Sequence, residues 1–412
     1  MVDVKLSIDD YSLFENTHEI PWDPIIEIME VYRKCEDKTK VNLTVGAYRD
    51  ENLKPFVFTS VKKAEERIFS SNFSRAYLPS TGDNEFNKLC QSTLFDENHE
   101  VMKNKRILTV QGLSGTGGLR LATEFLFKFV SQKMILQEPS WPNHLVMFDH
   151  LGYETTITSS YDLNTNKLPI NEFLGVLSKA QEKSIVLLQA CGHNPTGTDP
   201  TKDQWKQIAE VMKKNKLFPL FDMAYQGFVT GDLAEDAYPI YLFLEMGFEM
   251  FIAQSFSKSM GLYGERAGPL HMIVNDPNAI PNIESQLNKI ALNDYLVPVG
   301  HGARIIKTVL GDKELCELWK IELKQVVGRL SDMRTLLYNK LIEIKCPGDW
   351  EHLKEQKGMF SYTGLTEKHC DVLINKHKIF LVKSGRISLS GIIPSNVERI
   401  ALAIKDAIET SK

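Results

Sequence analysis

Through the middle of the chain, short runs of β-branched and apolar residues alternate with longer stretches whose apolar positions fall three or four apart. RILTVQ (Arg106 to Gln111) reads as a strand, and GGLRLATEFLFKFV after it as a helix. SIVLLQA (184–190) is a buried-strand run, followed by KDQWKQIAEVMKKNK at helical spacing. FPLFDMA (218–224) and MFIAQSF (250–256) are two more apolar runs of strand length. Near-continuous apolar strands separated by helices predict an α/β fold, a mostly parallel sheet with helices on both faces. Ligands of such sheets bind beyond the carboxyl ends of the strands, so chemistry is sought there.

From Lys313 to Ile344 one helical pattern persists, with Leu315, Leu318, Trp319, Leu323, Val326, Leu330, Met333, Leu337 and Leu341 on its apolar side, until Cys346-Pro347-Gly348-Asp349 stops it. A helix of about 32 residues is about 48 Å long, more than one compact domain needs. It is expected to carry the chain into a second, smaller domain; the alternative is a helix packed along one large domain. No internal repeat or biased linker interrupts the chain.

Composition excludes several classes. The 412 residues are 43% apolar and 25% charged with a net charge of −5, an ordinary globular balance without the basic face that nucleic acid requires. Six cysteines without a Cys-x-x-Cys pair predict reduced thiols, and ten scattered histidines predict no metal site. MVDVKLSIDDYSLFE at the start has no apolar core and carries Asp3, Asp9 and Asp10, unlike a secretory or transit peptide. The most apolar stretch, YPIYLFLEMGFEMFIA, is broken by Glu245 and Glu249, so no membrane partner is expected. These readings place the chain in the cytoplasm.

Familiar nucleotide and hydrolase motifs fail: Arg120 stands where a dinucleotide fingerprint needs its third glycine, Thr116 where a nucleophile elbow ends in glycine, and no P-loop occurs. What survives lies just past the strand ends. Ser114-Gly115-Thr116-Gly117 opens a helix and offers backbone N–H groups and hydroxyls to an anion. His193-Asn194-Pro195-Thr196-Gly197 follows the next strand, Asp222 and Tyr225 close FPLFDMA, and Lys258 follows MFIAQSF, with Arg266 eight residues on. Each alone reads as an ordinary turn, cap or solvated charge. Together they suit pyridoxal phosphate, which needs a lysine for a Schiff base, a carboxylate for its ring nitrogen and a phosphate site.

VNLTVGAYRDEN (41–52), AYLPSTG (76–82), TVQGLSGTGGLR (109–120), PSWPNH (139–144), HNPTGTDPT (193–201), FDMAYQGF (221–228), SFSKSMGLYGERAG (255–268), GMFSYTGL (358–365) and SGRISLSG (384–391) stand in the order of one known family. From about residue 14 to its end the sequence resembles the aspartate aminotransferase family, class I pyridoxal-phosphate-dependent transaminases of fold type I. The resemblance implies transfer of an amino group between an L-amino acid and a 2-oxo acid, such as 2-oxoglutarate or oxaloacetate, in a ping-pong reaction. It implies that Lys258 carries pyridoxal 5'-phosphate as a Schiff base and then moves the substrate proton. Asp222 would pair with the ring nitrogen, supported by His144; Tyr225 and Asn194 would bond the phenolic oxygen, and Trp141 would stack on the ring. Ser114, Gly115, Thr116, Ser255 and Arg266 would grip the phosphate, with Tyr77 reaching across from a second subunit. Arg386 would clamp the substrate α-carboxylate, with Gly46 adding a backbone contact and Phe360 lining the pocket.

The resemblance further implies a homodimer with shared active sites. It divides the chain into an N-terminal arm and part of a small α+β domain (1–47), a large cofactor-binding domain (48–319) and the rest of the small domain (320–412), the arm itself being about residues 1–15.

The match breaks between Lys289 and Arg304. Leu292 stands where the family has the arginine that binds a substrate's distal carboxylate from the neighbouring subunit, and Tyr295, Leu296, Val297 and Val299 replace the family's tryptophan, serine, asparagine and second proline. Gln189 also stands where histidine is usual. Leu292, with Asp294 beside it, predicts that dicarboxylates lose ground to aromatic or neutral amino acids. The alternative is that Arg75, Lys383 or His301 replaces the missing charge. A reading of another class, a cofactor-binding partner or regulator with little or no transaminase activity, is opposed by the intact Lys258, Asp222, Tyr225, Arg266 and Arg386. Arg386 also disfavours decarboxylation, which needs a different Cα bond perpendicular to the ring.

Overall fold

The computed structural model describes residues 12–20 and 23–411; most of the expected N-terminal arm lies outside them. Along the chain come β1 (Val41–Asn42), β2 (Ile107–Leu113), β3 (Lys133–Glu138), β4 (Glu154–Ser159), β5 (Ile185–Gln189), β6 (Phe218–Met223), β7 (Met250–Gln254), β8 (Ala267–Ile273), β9 (Phe360–Tyr362), β10 (Ile379–Phe380) and β11 (Arg386–Ser388). Seven of them form one sheet in the order β2-β8-β7-β6-β5-β3-β4. All its ladders are parallel except those of β8, which runs against both β7 and β2. The mostly parallel sheet is the one the apolar runs predict.

Alternation along the strands builds two cores. Ile185, Leu187, Leu220, Phe251 and Ala253 face Leu119, Ala122 and Leu126 of the Ser114–Phe129 helix and Leu287 of the Ile280–Asp294 helix. Val186, Leu188, Phe221, Met250 and Ile252 face Phe173 and Leu177 of the Ile170–Lys179 helix and Trp205, Ile208 and Met212 of the Lys202–Lys214 helix. A sheet buried on both faces needs apolar side chains at every position, which is why these strands lack a polar alternate.

The long helix runs Lys313–Glu343, and Lys345 turns the chain beyond it at φ 53. Leu315, Trp319, Leu323, Val326, Leu330, Leu337 and Leu341 join one core with the Thr59–Phe69, Gly300–Gly311 and Val397–Thr410 helices. Glu322, 6% exposed in the middle of this helix, reaches the uncapped start of the Thr59–Phe69 helix and accepts from Thr59 N at 2.6 Å, Ser60 N at 3.0 Å and Ser60 Oγ at 2.7 Å. The two ends of the chain meet where β1 pairs with β10 in parallel and Ser388 N donates to Leu43 O at 2.7 Å. Among the described residues, no helix is long and apolar enough to cross a membrane.

Candidate active site

A cavity of about 100 Å³ opens at the carboxyl ends of β2, β5, β6 and β7, the edge where a parallel sheet presents its loops. At one end β2 passes directly into the Ser114–Phe129 helix through Ser114, held at φ 63. Among the described residues no side chain caps this helix, so Ser114, Gly115 and Thr116 face the cavity with the N–H groups of a first helical turn and the positive end of the helix dipole. The loop after β7 adds hydroxyls: Ser114 Oγ lies 2.8 Å from Ser255 Oγ and 2.9 Å from Ser257 Oγ. Arg266, entering β8, donates to Thr116 Oγ1 at 3.4 Å. Close approach of helix and sheet makes this possible, since a Cβ on Gly118 would already touch Ala253 Cβ at 3.3 Å. Hydroxyls, free N–H groups and a guanidinium at one helix start form a site for a dianion.

Asp222 lies near the end of β6, where it pairs with Gln189 of β5 in register. Its Oδ2 is 3.0 Å from His144 Nε2, and His144 Nδ1 is 2.8 Å from Ser140 Oγ. Trp141 lines the cavity between the two ends, its ring edge-on to His144 at 5.2 Å.

Lys258 rises from the loop after β7 into the same space, its Nζ 5.4 Å from the centre of the Tyr225 ring. Burial brings the amine down to about 8; Asp222 pulls the other way, and Arg266 and Arg386 add to the lowering. A buried lysine of this kind is a usable nucleophile near neutral pH. Burial also pushes the Tyr225 phenol well above its usual range.

Arg386, on β11, closes the site from the other side. It donates from Nη1 to Asn194 Oδ1 at 3.1 Å and from Nη2 to Thr44 O at 2.8 Å, and lies 4.3 Å over the Phe360 ring. Its Nε is buried and has no partner among the described residues. A guanidinium with one donor waiting is ready for a carboxylate. Gly46 sits against Phe360, where a Cβ would meet the ring at 3.3 Å.

The structure thus brings together Ser114, Gly115, Thr116, Trp141, Asn194, Asp222, Tyr225, Ser255, Lys258 and Arg266 around one cavity, with His144 behind Asp222 and Arg386, Phe360 and Gly46 beside it. Tyr77 and Leu292 do not line it: they are 85% and 44% exposed, and Tyr77 lies in a separate groove with Phe69, Phe73, Arg75, Val297 and His301. Sequence reasoning missed Ser257 and Ser140, although each stands close to a residue it singled out. It took Gln189 only as a departure, whereas the Gln189 side chain lines the cavity. The charge of Asp294 beside Leu292 is faced by Arg120, 3.7 Å away. Lys383 is engaged at the surface by Glu367 at 3.1 Å and Asp371 at 3.2 Å.

The family model for aminotransferase class I and II matches residues 38–404. The cytoplasmic aspartate aminotransferase of Dictyostelium discoideum is 43% identical over 403 residues, 97% of this chain and 91% of that protein. Other curated relatives are chloroplastic and mitochondrial. Among solved structures, the aspartate aminotransferase from Saccharomyces cerevisiae cytoplasm superposes with a TM-score of 0.94 at 38% identity, covering 96% of this chain and 98% of that one. An aromatic-amino-acid aminotransferase from Burkholderia pseudomallei, covalently bound to pyridoxal phosphate, superposes with a TM-score of 0.93 at 34% identity, covering 96% and 100%.

Proposed function

The chain belongs to the aminotransferase class I and II family, and from that premise we propose how its residues carry out the reaction. It is a pyridoxal-phosphate-dependent transaminase of the aspartate aminotransferase type. The cofactor fits the donor set: the dianion site at the Ser114–Phe129 helix suits its phosphate, and Asp222 at the opposite end suits a protonated ring nitrogen. Bound there, the cofactor supplies the electron sink that lets a Cα–H bond break.

The observation that carries the reading is Lys258, a buried amine lowered to about 8 between that phosphate site and Asp222. With the cofactor bound, the neutral amine would be the nucleophile that holds it, and the same amine would accept the substrate Cα proton and give it back. Asp222, held by His144, keeps the ring nitrogen protonated. Tyr225 and Asn194 would hold the phenolic oxygen, Trp141 would lie against the ring, and Ser114, Gly115, Thr116, Ser255 and Arg266 would hold the phosphate, all of them lining the one cavity. Arg386 holds the substrate α-carboxylate, its Nε and fork supplying donors over Phe360 and beside Gly46. The test is the absorbance change when cofactor-loaded protein is mixed with amino acid alone, with Lys258→Ala as control.

We infer a homodimer with shared sites, supported by the exposure of Tyr77 and by the apolar groove around Phe69, Phe73 and Val297. Tyr77 then reaches the partner's phosphate site. The division at residues 47 and 319 belongs to this proposal, as does the cytoplasm, which suits six free thiols.

A second reading concerns the donor. Leu292, Leu296 and Val299 form an exposed apolar segment, 44%, 50% and 45% exposed, at the position where the resemblance places a cation for the distal carboxylate. If this segment enters the neighbouring site, aromatic and neutral amino acids gain over aspartate. Arg75, His301 and Arg304 lie in the groove with Tyr77, and a positive charge supplied from there would oppose that outcome.

A further inference from the structure

β9 and β11 form a sheet of two strands, so β9 has one edge without a neighbouring strand. Leu389 N donates to Met359 O at 2.9 Å and Thr363 N to Gly385 O at 3.1 Å. By alternation, the carbonyls of Gly358, Phe360 and Tyr362 then point to the other edge. Side chains take the place of a third strand there. Arg334, from the long Lys313–Glu343 helix, donates through Nη2 to Gly358 O at 2.8 Å and Phe360 O at 3.2 Å, and through Nη1 to Ser361 Oγ. Gln356 closes the rest of the edge: its Nε2 donates to Tyr362 O at 2.9 Å and its Oε1 accepts from Tyr362 N at 3.1 Å. A planar fork of five donors is what allows one side chain to serve three acceptors at once. Arg334 is 7% exposed and, among the described residues, forms no ion pair with a carboxylate; burial lowers it to about 9. Burying a guanidinium without a carboxylate is costly, and the acceptors it meets instead all belong to one short segment.

That segment carries part of the site. Tyr362 pairs with Arg386 across the two strands and Phe360 with Ser388, so Arg386 and Phe360 are diagonal neighbours on one face, the guanidinium 4.3 Å over the ring. Behind the same carbonyl stands Gly197, at φ 67 in the loop after β5, where a Cβ would meet Phe360 O at 2.8 Å; Lys357 N donates to Gly197 O at 2.7 Å. We propose that Arg334 is a positioning residue for recognition of the substrate α-carboxylate: by holding the free edge of β9 it sets the Phe360 ring and, across the ladder, the guanidinium of Arg386. The proposal rests on the role assigned above to Arg386. Arg334 does not line the cavity around Lys258, so its effect falls on substrates that carry the carboxylate and not on the cofactor.

The test compares the wild type with Arg334→Gln, Arg334→Lys and Gln356→Leu, the last serving if the arginine variants fail to fold. Each cofactor-loaded protein is given the fastest-reacting of L-aspartate, L-glutamate and L-phenylalanine, and separately the amine that is the same molecule without its α-carboxylate. In Arg334→Gln the KM for the amino acid rises about tenfold, the effect of hydrogen bonds lost from a charged group, while kcat stays within about twofold. Arg334→Lys keeps the charge without the fork and restores little of the loss. Gln356→Leu moves KM in the same direction. The rate with the amine stays within about twofold of wild type in all three. In cofactor-free Arg334→Gln, amide hydrogen exchange quickens in β9 and β11 but not in β5, β6 and β7, and pyridoxal phosphate is taken up at the wild-type rate. A KM within about twofold of wild type in both Arg334→Gln and Gln356→Leu, or equal losses with amino acid and amine, overturns the proposal. A wild-type protein that fails to transaminate while the exchange pattern holds would tell instead against the proposed function, and an unchanged KM in Arg386→Lys against the assignment of the carboxylate to Arg386.

Discussion

Arg386 donates through Nη1 to Asn194 Oδ1 at 3.1 Å, and this bond joins β11, near the end of the chain, to the loop after β5 in the large sheet. Arg386 is 3% exposed and, among the described residues, forms no ion pair with a carboxylate; it leans on Phe360 and on the Thr44 carbonyl, with Nε unspent. A buried charge left partly unsatisfied signals a missing anionic partner.

Arg386→Lys retains the charge and loses the fork. It is expected to lower kcat/KM for amino acid and oxo acid by roughly 30-fold or more, mostly through KM, the cost of disrupting a buried charged pair. Steady-state kinetics with both substrates check this, and the cofactor spectrum should stay unchanged. A KM within about twofold of wild type contradicts the assignment.

Lys258 gives a pH signature. Below about 8 the amine is protonated and cannot attack, and above it the neutral form dominates. The rate of pyridoxal phosphate uptake by cofactor-free protein should therefore climb from about pH 6 and level off beyond about pH 9, as followed by stopped-flow absorbance. A profile still climbing toward the ordinary lysine range would mean that burial does not act on this amine.

Glu322 supports stability without touching the cavity. Glu322→Ala strips three donors at the start of the Thr59–Phe69 helix of their partner, and a loss of about 2–3 kcal/mol is expected in urea denaturation. A loss under about 0.5 kcal/mol, the range of an ordinary surface change, would contradict the capping role.

Leu292 decides the donor preference. Leu292→Arg should raise kcat/KM for aspartate by roughly 30-fold or more if the segment enters the neighbouring site. Wild-type protein compared with aspartate, phenylalanine and alanine should show no large lead for aspartate. An unchanged aspartate rate in the variant, or an aspartate lead of about a hundredfold in the wild type, rules out the apolar-pocket reading.

What could be read without coordinates follows from how each feature is encoded. Strands β5, β6 and β7 are continuous apolar runs, and the polar residues after them stand out by contrast. β3 (KMILQE), β4 (ETTITS) and β8 (AGPLHMI) escaped the pattern: β3 has only three apolar residues between polar ends, β4 is an edge strand with Glu154, Thr156 and Ile157 exposed, and glycine and proline break the run of β8. Glu322 sits in a helical repeat where a solvated carboxylate is the ordinary expectation, and its partners lie 262 and 263 residues away. Gln189 was visible as an unusual residue, yet its bond from the backbone N–H five positions on was not. Thr44 enters the site through its carbonyl, which any residue could supply.

The central claim is that Lys258 performs amino-group transfer on bound pyridoxal phosphate. The direct measurement is the half-reaction: cofactor-loaded protein mixed with L-aspartate, L-glutamate or L-phenylalanine in the absence of oxo acid, followed by absorbance. Uptake of one amino group per bound cofactor, reversed by 2-oxoglutarate and abolished in Lys258→Ala, is the expected result. No spectral change with any of the three amino acids, or the same change at the same rate in Lys258→Ala, would contradict it.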